Sequence, residues 1–84
     1  MARIEIEIPH FYQLEYKEDE KKMIVDIDFR DPIMYLGIDL INHWEHPYDQ
    51  DFISQEKKLE ILRNIREFLI SKGFSKSRIE YFED

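Results

Sequence analysis

Eighty-four residues make one domain at most, with a small core that buries roughly 60–65% of the surface the unfolded chain would expose. The composition is globular (43% hydrophobic, 14% aromatic, 2 Gly, 3 Pro), and the absence of Cys excludes disulfide scaffolds, thiol catalysis and cysteine-ligated zinc. A net charge of −7 argues against nucleic acid as a direct partner, because binding phosphates takes Lys and Arg, and leaves room for a basic protein partner.

The chain opens on Arg3-Ile4-Glu5-Ile6-Glu7-Ile8, an alternation of charge and Ile that no signal peptide shows. No apolar run approaches the roughly 18–20 residues of a membrane span, so the expectation is a cytoplasmic protein with no membrane association. The same alternation predicts a first strand over 3–8, with Ile4, Ile6 and Ile8 on one face. Pro9 has no N–H to donate and should stop the ladder. A second strand is expected over 11–17, with Tyr12, Leu14 and Tyr16 inward. The polar run Glu18-Asp19-Glu20-Lys21 should be a hairpin loop, and a third strand should follow over 22–30 with Met23, Val25, Ile27 and Phe29 inward. Asp31-Pro32 is a turn signal.

Residues 33–41 fit two patterns. Met34, Leu36, Ile38 and Leu40 have strand period, whereas Ile33, Leu36, Leu40, Ile41 and Trp44 have helical period with Asp31 as cap. The strand is favoured, since Gly37 would weaken a helix by about 0.5–1 kcal/mol relative to Ala. After an irregular stretch over 42–53, Ser54 reads as the N-cap of a helix running to about Lys72. Leu59, Ile61, Leu62, Ile65, Phe68 and Leu69 form its apolar stripe, and Gly73 stands where a left-handed C-terminal cap belongs. A last strand is expected over 78–82, with Ile79 and Tyr81 on one side.

The sum is a single α+β domain over 1–84. It has two layers: a mainly antiparallel four- to five-stranded sheet with one long C-terminal helix on one face, in the order ββββαβ. Glu5, Glu7, Glu15, Asp26, Asp28 and Asp39 would then share the outward face of the sheet. Residues 1–55 carry a net charge of −8 and residues 56–84 a net of +1, so the acidity belongs to the strand region.

The most unusual stretch is His43-Trp44-Glu45-His46-Pro47-Tyr48-Asp49-Gln50-Asp51, which holds the only Trp and two of the three His. Its His spacing is not the i, i+4 of a metalloprotease helix, and Pro47 prevents a helix from presenting both, so no metal site is assigned. The Ser residues at 54, 71, 75 and 77 have no His neighbour in sequence and no nucleophile elbow, so no catalytic residue and no cofactor is assigned. Trp44 reads either as a lid on the core or as a binding anchor.

The run Ile41-Asn42-His43-Trp44-Glu45-His46-Pro47-Tyr48-Asp49, then Ile53, the helix segment Ile61-Leu62-Arg63-Asn64-Ile65-Arg66 and Gly73-Phe74 resemble the immunity protein 74 family. The shared pattern is a Trp-acid-x-Pro-aromatic-Asp loop leading into a helix with an Ile-x-x-Asn-Ile-Arg core. His46 departs from it, standing where members often have a second Pro. The resemblance implies a small, non-catalytic bacterial immunity protein that binds and neutralises a cognate toxin, which the acidic charge suggests is basic. Trp44, Glu45, Tyr48, Asp49, Asp51, Asp26 and Asp28 are the candidate contact residues. The alternative is an accessory protein-interaction domain, or a module that dimerises through an exposed sheet edge.

Overall fold

The computed structural model describes residues 3–30 and 32–81, a small α+β domain built from a three-stranded antiparallel sheet and one helix. In chain order the elements are β1 (Ile4–His10), β2 (Gln13–Glu18), β3 (Lys21–Asp26), β4 (Met34–Leu36), α1 (Gln55–Ser71) and β5 (Ile79–Tyr81), with 3-10 turns at Ile38–Leu40 and Lys76–Arg78. The sheet order is β1-β2-β3. β4 and β5 lie apart from it as a parallel pair, Met34 against Ile79 and Leu36 against Tyr81. The expectation of one four- to five-stranded sheet is corrected accordingly. The strand reading of 33–41 holds only for Met34–Leu36, beyond which the chain tightens into the 3-10 turn.

Gly37 stands at that break in extended backbone (φ −132°, ψ 162°). Tyr35 folds its ring over Gly37 so that its hydroxyl donates to Asp39 Oδ1 at 2.7 Å, and a Cβ at 37 would collide with both side chains. Pro9 interrupts the β1–β2 ladder without ending the strand. Pairing runs in register from Ile4↔Glu18 to Glu7↔Glu15 and resumes with a shift at His10↔Gln13, the signature of a bulge. The β2–β3 turn is only two residues, Asp19 and Glu20, with Asp19 at φ 54°, the left-handed region that a short Asp tolerates. β3 is shorter than its alternation predicts, yet Ile27 and Phe29 still donate to the carbonyls of Tyr12 and Phe11 and remain buried. The expected turn residue Asp31 and the end of the last strand at 82 lie outside the described residues.

α1 begins where its cap predicts. Ser54 Oγ accepts from the Lys57 N–H at 3.1 Å. At the other end Gly73 (φ 98°) donates to Ile70 O and Phe74 donates to Leu69 O, both at 3.1 Å, which is a Schellman ending. Ile61, Leu62, Ile65 and Leu69 are fully buried, while Leu59 and Phe68 are only half-buried. They close over the inward sheet residues Leu14, Tyr16, Met23 and Val25, with Met34, Leu36, Ile41, Trp44 and Ile53 completing the core.

The outward sheet face keeps part of the acidic surface the sequence suggests, with Glu7 directly opposite Glu15. Of its six expected carboxylates, Glu5, Glu7, Glu15 and Asp26 belong to β1–β3, while Asp28 follows β3 and Asp39 sits in the 3-10 turn. Cations interleave with them. Glu5 stands opposite Lys17, which stands opposite Lys22, and Lys22 Nζ bridges to Glu15 at 3.4 Å. Strand register, invisible in the sequence, mixes the signs.

Candidate functional site

The loop over 42–52 docks on the turn end of the β2–β3 hairpin. Glu45 N–H donates to Lys22 O at 2.7 Å, covering part of the free edge of β3. Trp44 beneath it is 2% exposed and its ring lies 6.3 Å from that of Tyr16. Of its two readings the lid is therefore the one realised, and Trp44 leaves the set of contact residues. Tyr48 is half-buried and its hydroxyl donates to Glu20 Oε2 at 2.9 Å. Asp51 pairs with Lys21 at 3.0 Å, and the Lys21 ammonium lies 5.7 Å from the Trp44 ring and 5.6 Å from that of Tyr48. One lysine thus ties hairpin, loop and core lid together. Phe52, the next residue, is 90% exposed.

Glu18, Asp19, Glu20, Lys21 and Tyr48 line a shallow surface cleft of about 300 Å³. Three carboxylates and one ammonium face it, so its potential is negative. One wall is fixed from within. The buried Tyr16 hydroxyl donates to Glu18 Oε1 at 3.1 Å and accepts from Asn64 Nδ2 of α1 at 2.9 Å, while Lys57 Nζ bridges Glu18 and Glu60. Burial, only partly countered by the Asn64 hydrogen bond, pushes the Tyr16 phenol up to about 12. The Tyr48 phenol is likewise raised, first by donating to Glu20.

Of the seven candidate residues Tyr48 lines this cleft and Asp51 pairs with its Lys21, while Glu45 joins the loop to β3 through its backbone N–H. Asp49 Oδ1 lies 3.5 Å from His46 Nδ1, and the His46–Pro47 peptide is cis. Asp26 and Asp28 do not join them. Asp26 pairs with Gln13 at the far end of β3, about 13 Å along the strand from Lys22 at roughly 3.3 Å per residue. Asp28 Oδ1 accepts from Arg30 N–H at 2.9 Å. The sequence reading missed the turn itself, Glu18-Asp19-Glu20, because a polar hairpin loop carries no mark of what will pack beside it. The run of acids was the available signal. Among the described residues no group of three or more His, Asp or Glu is arranged to hold a metal ion, and His43 Nδ1 is engaged with Trp44 O at 2.9 Å. No helix among them is long and apolar enough to cross a membrane.

Comparison with protein-family models, with curated proteins and with solved structures finds no match to this chain.

Proposed function

We propose that this chain is a non-catalytic binding protein of the immunity type, which neutralises a basic toxin domain through the hairpin–loop end of the molecule. The observation that carries this reading is the gathering of Glu18, Asp19, Glu20 and Tyr48 around one cleft, with Asp51 paired to its Lys21, braced from behind by Tyr16, Asn64 and Lys57. A rigid acidic patch with an aromatic side chain at its rim suits a cationic protein surface: the charge steers encounter and the ring anchors the complex. The resemblance of the loop and helix to the immunity protein 74 family points the same way.

The test is co-expression with the product of the adjacent gene. The proposal expects that product to co-purify with this chain and to lose its toxicity to the host. A neighbouring product that is not toxic and does not bind would overturn the immunity reading in favour of an accessory interaction domain.

A further inference from the structure

The two edges of the three-stranded sheet are treated differently. The β3 edge is partly covered by the loop, through Glu45 N–H on Lys22 O, whereas among the described residues β1 pairs with β2 alone. Register fixes which groups of β1 face outward. Asp19 N–H donates to Arg3 O, so the pair Arg3–Asp19 is hydrogen-bonded. Antiparallel ladders alternate, so Glu5 and Glu7 also bond to β2, while the N–H groups of Ile4, Ile6 and Ile8 and the carbonyls of Ile4 and Ile6 point to the open edge. The side chains of these Ile residues lie on the core face and are incompletely covered, Ile4 being 39% exposed. Glu5 and Glu7 stand exposed on the other face.

We infer that the β1 edge accepts an extended segment of a protein partner as a fourth strand, with apolar residues alternating with Lys or Arg. The apolar side chains would extend the core face over Ile4, Ile6 and Ile8, and the cations would stand beside Glu5 and Glu7. The same carboxylates disfavour a second copy of this chain as occupant. The two-fold register that uses all of residues 4–8 sets Glu5 against the copy's Glu7 twice, like charge on like. The edge also begins beside the acidic turn, since Ile4 pairs with Glu18, so a bound strand would lead toward the cleft. This inference stands on the edge alone and holds for any basic partner, toxin or not.

The probe is a capped synthetic peptide alternating Val and Lys over eight residues, added to the full chain. Two controls accompany it: the same composition with all Lys grouped at one end, and a Val–Glu alternation. Amide hydrogen exchange followed by NMR should show Ile4, Ile6 and Ile8 slowed at least tenfold by the alternating Val–Lys peptide alone, with the already bonded Glu5 and Glu7 amides little changed. Glu5→Gln with Glu7→Gln should weaken the peptide roughly threefold to tenfold. Ile4→Pro removes one outward N–H and should weaken it as well, with circular dichroism showing the variant folded. Equal protection by the Val–Glu peptide, no protection at these three amides, or self-association through β1 without any peptide would overturn the inference. Because the readout is a peptide on β1, its failure leaves co-purification with the adjacent gene product untouched.

Discussion

Tyr16 is the residue on which most of the structure converges. Its ring is fully buried against Trp44, and its hydroxyl joins the sheet to the helix through Asn64 and to the acidic turn through Glu18. Its phenol holds its proton to about pH 12 in the folded state, whereas in the unfolded chain it gives the proton up near pH 10. Between those values the unfolded chain binds fewer protons, so stability falls as pH rises through the window, by on the order of 2 kcal/mol from this group. Urea midpoints measured from pH 9 to 12 should show that decline, and Tyr16→Phe should flatten it while lowering stability at neutral pH by about 1–2 kcal/mol, because Asn64 and Glu18 lose their shared partner. A parent and variant with the same slope would mean that the Tyr16 hydroxyl is solvated. The alternation over 11–17 was enough to place the Tyr16 ring inside. Its hydroxyl chemistry was not legible, because the partner Asn64 lies 48 residues away.

A second contrast at this scale tests the helix stripe. Ile65 is fully buried, so Ile65→Ala should cost about 2–5 kcal/mol in chemical denaturation. Lys58, half-buried beside the first turn, should cost less than about 0.5 kcal/mol when changed to Ala. Similar losses at both positions would contradict the orientation of α1.

At the scale of elements, α1 was the most legible because its signals are local. Ser54, the stripe and Gly73 each act within one turn of the chain, and each does in the structure what its spacing predicts. Ser54→Ala should therefore cost about 1 kcal/mol, a fall of roughly 4–8 °C in Tm for a domain of this size. Gly73→Ala meets no neighbour within 4 Å, so its cost is that of the left-handed backbone alone, about 1–2 kcal/mol. A thermal melt of each variant checks both values, and a Gly73→Ala protein as stable as the parent would contradict the Schellman ending. The strands were legible as strands but not as sheets. Periodicity tells which side chains share a face, yet the separation of β4 and β5 from β1–β3 depends on parallel pairing across 45 residues, Met34 to Ile79, and on the close approach of Tyr35 over Gly37. Neither leaves a local trace. The acidic outward face was legible only in part for a related reason: alternation assigned the carboxylates within each strand of the sheet, but only register could set Glu7 opposite Glu15, Lys17 beside Glu5 and Lys22 within reach of Glu15.

For the whole molecule, the unusual loop was legible in the sequence and the acidic turn it docks on was not. The loop from His43 to Asp51 stands out by composition, and it docks on the turn end of the hairpin, where Tyr48 lines the cleft and Asp51 pairs with Lys21. Asp26 and Asp28 were grouped with it only through the outward face, and the strand carries them to the opposite end. The net charge of −7 is therefore less important than its placement, with the turn, the loop and Tyr48 at one end and a sheet face of mixed sign between. The most direct test is surface-based binding kinetics of folded variants against the product of the adjacent gene, at two salt concentrations. Asp19→Asn with Glu20→Gln should slow association by roughly tenfold at low salt and flatten its salt dependence, and Tyr48→Ala should speed dissociation by about tenfold. Asp26→Asn with Asp28→Asn, at the far end, should leave both rates within about twofold of the parent. Loss of association in the Asp26 and Asp28 variant, with the turn and Tyr48 variants binding as the parent does, would contradict the hairpin–loop end as the contact surface.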